Sequence, residues 1–323
     1  MIKKRGVFIL VVSFFLLAIS TTGWSANYTG KKILFIDSYH EGYAWSDGIV
    51  KGVQRTLGGK GIELKILRMD TKRNTDEAFK KEASSKAKAE IDAFKPDVVI
   101  AADDNASKYL IEPYFKDAAL PFVFCGVNWD ASVYGYPYSN TTGMIEVTPV
   151  PQLVEQLQAA AHGKRIGFLG PDILTSHKEL ENYKKVFDMD MTAYFATSYD
   201  DWKKGFVELQ GKVDMLIIDS DGGLYKEHEA DMRAFVAANT KKPTGSCYDF
   251  MADYAVLTYA KSAEEQGDWS ANAALQILDG VSPKDIPLAK NKEGSVIFNA
   301  KLAKSSGTEL PYEVIESAAK VIE

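Results

Sequence analysis

The stretch "KKILFIDSYHEGYAWSDGIVKGVQRTL", residues 31–57, decides how the rest of the chain is read. It opens with an apolar run that ends on Asp37, and it closes with Ile49, Val50, Val53 and Leu57 at helical spacing. A strand buried on both faces, followed by an amphipathic helix, is the opening unit of a covered parallel sheet. Ser46 is the expected N-cap of that helix. Between strand and helix lies "DSYHEGYAWSDG" (37–48), which carries aromatic and acidic side chains that a simple connector does not need.

The same rhythm continues through "IELKILRM", a charged helix over 75–94, "PDVVIAA", a short helix near 105–111 and "LPFVFCG". It restarts after "NTTGMIEVTPVPQLVEQLQAAA". There "KRIGFLG", "MTAYFAT", "VDMLIID" and "KPTGSC" alternate with helices over 175–187, 201–210 and 226–238. Two successive β/α sets of similar size predict an α/β protein of two doubly wound parallel-sheet lobes joined by a hinge. Residues 26–146 form the expected first lobe, with 259–290 packing back on it; 259–280 is read as one helix. Residues 147–258 form the second lobe, with 291–323.

Residues 1–25 read differently. A basic start, the thirteen-residue run "VFILVVSFFLLAI" broken only by Ser13, and a small polar tail make a cleaved signal peptide. The run is short of the about 20 residues a permanent membrane helix needs. The chain is therefore expected in the periplasm. Cleavage removes Lys3, Lys4 and Arg5, leaving 35 basic against 44 acidic residues, a net charge of −9. An acidic chain without basic runs argues against nucleic acid as a partner. Cys125 and Cys247, 122 positions apart, form no disulfide framework and are read as free, buried thiols. The four histidines are scattered, so neither metal nor cofactor is expected. No GxSxG elbow occurs, and no GxxxxGK[ST] or GxGxxG follows a strand, so catalysis has no motif to rest on.

In open parallel sheets, ligands lie beyond the carboxyl ends of the strands. Those positions hold Ser38, Tyr39, His40, Tyr43 and Trp45 after the first strand, then Asp103, Asp104 and Asn105 in "AADDNAS", and Asn128 and Trp129 in "CGVNWDAS". The second set supplies Asp172, Thr175 and Ser176 in "GPDILTS", Asp219, Ser220 and Asp221 in "DSDGGLY", and Tyr248 and Asp249 in "SCYDFMADY". Aromatic rings there can stack on a ligand, and carboxylates can receive an ammonium group or sugar hydroxyls. The same Asp and Ser residues also serve as ordinary turn and cap residues. Asp104 or Asn105, and Thr175 or Ser176, are the expected caps of their helices, whose free amides attract anions. His40 beside Asp37 and Glu41 specifies no metal set or general base. An acid-rich cleft leaves an exported hydrolase open, which needs two carboxyl groups about 5–10 Å apart.

Several blocks carry a family resemblance. "NTTGMIEVTPVPQLVEQL", "KRIGFLGPDILTSHKELENYKKVF", "GKVDMLIIDSDGGL", "ILDGVSPKDIPL" and "SVIFNAKLAKSSGTELPYEVIESAAKVI" resemble the ABC-transporter substrate-binding proteins of periplasmic-binding-protein class I, the branch that includes aromatic amino acid binders. The resemblance implies a monomeric, non-enzymatic, two-lobed extracytoplasmic receptor. Such a receptor closes on a small solute, amino acid-like or sugar-like, and presents it to a membrane ABC permease or, in some relatives, to a membrane sensor protein. By position, "AADDNAS" corresponds to the helix start that receives a ligand carboxylate. "DSDG" and "CYD" correspond to segments that contact the ligand's amine or hydroxyls. "SYHEGYAWSDG" and "CGVNWD" stand where relatives have smaller residues, and the first of these, where the departure is greatest, is where ligand choice is expected. The ending "LPYEVIESAAKVIE" is expected as a final helix.

Overall fold

The computed structural model describes residues 27–220, 222–224 and 227–323. The signal segment and Asp221 lie outside the described residues. The first lobe begins with β1 (Lys32–Asp37), α1 (Ala44–Leu57), β2 (Glu63–Arg68), α2 (Glu77–Phe94) and β3 (Val98–Ala102). A helical stretch follows: α3 (Asp103–Ala106), a π turn (Ser107–Ile111) and α4 (Glu112–Phe115). Next come β4 (Phe122–Asn128) and β5 (Thr141–Glu146). The chain then crosses to α5 (Val150–Gln158), β6 (Ile166–Pro171), α6 (Leu174–Phe187), β7 (Thr192–Ala196) and α7 (Tyr199–Gln210). β8 (Met215–Ile218), α8 (Glu229–Asn239), β9 (Thr244–Ser246) and β10 (Leu257–Lys261) complete this run. α9 (Ala263–Leu278) and β11 (Ala289–Lys290) return to the first lobe. The chain ends in the second lobe with β12 (Gly294–Asn299), α10 (Ala300–Ser306), α11 (Tyr312–Glu316) and β13 (Lys320–Ile322).

The two sheets have the orders β11-β5-β4-β3-β1-β2 and β13-β12-β10-β9-β8-β6-β7. The order reverses between β1 and β3 in one and between β6 and β8 in the other. Each sheet is thus doubly wound with a switch point at its strand ends, where such sheets form their crevice. The first sheet is parallel throughout. The second is parallel up to β10, and β12 pairs with β10 antiparallel. In β1, Leu34 and Ile36 enter the core on one face, while Ile33 and Phe35 enter the other. Full burial of such a side chain contributes about 1.5–3 kcal/mol. The second lobe has its own core around Phe168, Trp202 and Phe206. Cys125 and Cys247 lie buried and unbonded in separate cores.

Several expectations are corrected. Residues 259–280 are not one helix: "LTYAK" (257–261) is a strand between β9 and β12, so the return to the first lobe starts after Lys261. Ser262 ends that strand and caps α9, its hydroxyl accepting from the Glu265 amide at 3.3 Å. The last residues are not helical either, because "KVI" pairs with β12 as β13. The N-caps of α1, α3 and α6 are Tyr43, Ala102 and Ile173, none with a side-chain cap bond, in place of Ser46, Asp104 or Asn105, and Thr175 or Ser176. Ser46 is drawn inward instead, and its hydroxyl donates to Asp37 at 2.8 Å.

Glycine explains why α9 belongs to the first lobe. A Cβ on Gly52 of α1 would lie 2.3 Å from the Glu264 carbonyl oxygen, and one on Gly267 of α9 would lie 2.0 Å from that of Ile49. The two helix backbones touch, and no side chain fits between them.

Candidate functional site

A cavity of 340 Å³ opens between the lobes at the carboxyl ends of the strands. Asn128, Trp129 and Glu146 line it from the first lobe, and Thr175, Glu179 and Tyr248 from the second. Thr148 and Lys261, at the crossings between the lobes, close its floor, and Lys178 and Asn182 on α6 complete its side.

The first-lobe wall is braced from within. Asp37 at the end of β1 is fully buried and accepts from the Tyr39 amide at 2.9 Å and from Arg68 Nη1 at 2.6 Å, besides Ser46. Burial raises its carboxyl, and those donors pull it back. The Ser38 hydroxyl donates to the Ala102 carbonyl at 2.6 Å and accepts from the Ala106 amide at 2.9 Å, tying β1 to α3. Asn105 donates to the Thr71 hydroxyl at 2.8 Å, and Asp104 accepts from Asn128 at 2.8 Å and from the Tyr134 hydroxyl at 3.0 Å. Asp103 is buried in the left-handed region at φ 72°, and its Oδ2 has no hydrogen-bond partner among the described residues. Burial, then the Glu146 and Asp37 carboxylates, hold its carboxyl well above the usual range. Tyr39 and Tyr43 meet edge to face at 5.3 Å, with the Lys72 ammonium 4.9 and 5.1 Å from their ring centres. His40 lies against Tyr43, 3.8 Å from Asp70, and does not line the cavity.

Trp129 reaches across to the second lobe. Its backbone amide donates to the Glu146 carbonyl at 2.9 Å, and its indole N–H donates to Glu179 at 3.0 Å. Its ring packs 5.9 Å from Tyr183 and 6.0 Å from Phe187 on α6. Glu179 also accepts from the Thr148 hydroxyl, and from that of Tyr248 at 3.3 Å. Burial raises the carboxyls of Glu179 and Glu146. Lys261 pairs with Glu146, and its ammonium lies 5.0 Å from the ring centre of Trp45 on α1. Burial opposes the charge on Lys261, but Glu146, Glu179 and Asp103 outweigh it and raise its pKa. Asp219 is buried and raised by that burial, against which the Ser176 hydroxyl, the Ser220 amide and the Tyr248 hydroxyl act. Asp172, bonded to His177 at 2.7 Å, and Asp249, which accepts from the Phe250 amide at 2.8 Å, stay on the exposed surface.

Among the sequence candidates, the cavity brings together Asn128, Trp129, Thr175 and Tyr248. It also takes in residues the sequence reading missed: Glu146, Thr148, Lys178, Glu179, Asn182 and Lys261. Glu146 and Lys261 had a signal, since each charge closes an apolar strand just where the chain leaves its lobe. Glu179 had none, as it reads as one polar position of an amphipathic helix.

The three crossings lie side by side. Asn291 accepts from the Val147 amide at 2.7 Å and donates to the Val147 carbonyl at 3.0 Å. Glu265 accepts from the amides of Lys292 and Glu293 at 2.9 and 2.8 Å.

The family model described as ABC transporter substrate binding protein matches residues 41–322. The fold is similar to the ligand-free, open structure of a substrate binding protein with adhesive properties from Clostridium difficile. There the identity is 20% over 90% of this chain and 99% of that one, with a TM-score of 0.69. It is also similar to an ABC domain in complex with L-Trp from Streptococcus pneumonia, with 19% identity, 90% and 99% coverage and a TM-score of 0.52. A periplasmic ribose ABC transporter protein from Conexibacter woesei gives 14%, 88% and 97%, and 0.53. No curated protein matches the chain in sequence.

Proposed function

The chain belongs to the family of ABC transporter substrate binding proteins, and on that premise we propose that it binds a small solute between its lobes without turning it over. The observation that carries this reading is the 340 Å³ cavity, which takes polar and aromatic side chains from both lobes and from the crossings between them. Its size lies near the lower end of the about 300–1,000 Å³ typical of small-molecule sites. The proposed units are residues 27–146 with 262–290, and 147–261 with 291–323. Closure is a rotation about the crossings at 147–149, 262 and 291–293, which Asn291 and Glu265 keep in step. The protein acts as a monomer in the periplasm, led there by residues 1–25, and hands its solute to a membrane ABC permease.

A thermal-shift screen against amino acids, amines, sugars and nucleosides tests this. A solute at a hundred times its dissociation constant stabilises the native state by about 2.7 kcal/mol, a rise of roughly 5–10 °C for a chain of this size. Silence across every class, or consumption of a solute in a turnover assay, overturns the reading.

A further inference from the structure

The charges that line the cavity are not equally free. Four side chains carry them: Glu146, Glu179, Lys178 and Lys261. Both carboxylates are answered from within the chain. Glu146, 6% exposed, pairs with Lys261. Glu179, 8% exposed, has both oxygens occupied, Oε2 by the Trp129 indole N–H and Oε1 by the Thr148 and Tyr248 hydroxyls. An ammonium group that enters meets no carboxylate left open to it. Lys178 is the exception. It forms no ion pair or hydrogen bond among the described residues, whereas Lys184 and Lys185 of the same helix pair with Asp190 and Asp130. Thr175 and Asn182 also line the cavity, and their side chains too are without hydrogen bonds among the described residues. Positions 175, 178 and 182 share one face of α6. The second-lobe wall thus presents an ammonium, a hydroxyl and an amide side by side, all able to donate to one anion.

The rest of the lining sets the other end of the solute. Leu174 lines the cavity although it is 70% exposed, and Val147, Trp129 and Tyr248 lie around the same space. An apolar body displaces water favourably from such a surface. Closure of the lobes also takes water from Lys178, and a cation enclosed without a partner is costly. An anion removes that cost. One ammonium matches one negative charge, whereas a second charge would be opposed by Glu179, whose three partners are all neutral donors. The start of α3, which by resemblance receives a ligand carboxylate, is set differently. Its first turn carries Asp103 and Asp104, and none of its residues lines the cavity.

We infer that the solute is a compact monocarboxylate with an apolar body and no ammonium group, its carboxylate received by Lys178 with Thr175 and Asn182. This rests on the solute-binding reading above.

Isothermal titration of the signal-free chain with three matched sets decides it: indolepropionate, L-tryptophan and tryptamine; phenylpropionate, L-phenylalanine and phenethylamine; isocaproate, L-leucine and isoamylamine. Each set keeps one apolar body and changes only its charged groups. In at least one set the acid is expected to bind ~tenfold or more tightly than the amino acid, and the amine to give no heat. The amino acid keeps the carboxylate, so it still registers in the thermal-shift screen. Lys178→Gln should weaken that acid ~tenfold. Because the side chain is exposed and unpaired, the same change should not move the melting temperature of the empty protein. Lys178→Arg, which keeps the charge, should restore most of the affinity. An amino acid or amine binding as tightly as its acid, an acid whose affinity survives Lys178→Gln, or a sugar or nucleoside binding while all three acids are silent overturns this inference and leaves the solute-binding reading intact. Silence of every solute class, the acids included, overturns both.

Discussion

The two walls of the cleft are built differently. On the first lobe, Asp37, Ser38, Asp104 and Asn105 spend their hydrogen bonds on their own lobe, so the strand ends are locked before any ligand arrives. On the second lobe, Thr175 and Lys178 stand exposed on the first turns of α6, and Glu179 is held by Thr148 and by Trp129 from the other lobe. One wall is prearranged, and the other is positioned by contacts that cross between the lobes. A ligand can therefore be oriented by the first lobe and enclosed by movement of the second.

The sharpest way to break this contrast is Asp37→Ala. It leaves Arg68, only 21% exposed at its side chain, beside an empty buried site, and removes the bonds to Ser46 and the Tyr39 amide. Loss of one partner of a buried pair costs about 3–5 kcal/mol, to be read from the urea midpoint. A variant as stable as the parent would mean that the first wall is not braced as described. Trp45→Ala comes next. Its ring packs on the first-lobe core and faces the Lys261 ammonium, so the change loosens the cavity floor. We expect a loss of about 1–3 kcal/mol of ligand binding by calorimetry, with a smaller change in stability. Unchanged affinity would separate α1 from the site.

The smallest effect is that of pH on the empty protein. The carboxyls of Asp103, Glu146, Glu179 and Asp219 are raised, chiefly by burial, so the folded state binds more protons than the unfolded chain just above the ordinary carboxylate range. Their contribution to stability grows as pH falls from neutral towards about 4. Asp214 works in the other direction. Arg165 holds its carboxyl down to about 2, so its stabilisation is present at neutral pH and is lost below the ordinary value of 3.8. The melting temperature should peak on the mildly acidic side and fall below about pH 4. A steady fall from neutral would show that the cleft acids are not strained in the empty state.

Much of the fold was legible because covered parallel strands are continuous apolar runs, and the helices between them carry their own period. β1, β3, β4, β6 and β8 all fall where "KILFID", "VVIAA", "FVFCG", "IGFLG" and "MLII" stand out. Tyr259–Lys261 of the strand "LTYAK" and all of "KVI" fall in stretches that read as helix, because such short segments beside helical ones carry no period of their own. At the site, Asn128, Trp129 and Tyr248 were legible as large polar or aromatic groups after apolar runs. The roles of Trp129, which packs on α6, and of Ser38, which braces α3, were not legible, because both depend on partners 50 or more positions away.

The sequence by itself determined the class of the protein: two β/α sets, an acidic surface and a ring of polar loops at strand ends. Local periodicity and turn chemistry are properties of neighbouring residues, so they are written along the chain. Tertiary structure alone decided which carboxylates line the cavity, that Lys261 answers Glu146 and that Asp103 Oδ2 has no hydrogen-bond partner among the described residues. Those facts depend on burial and on distances between residues as far apart as 115 positions, and the electrostatic cost of a charge is set by what surrounds it in space.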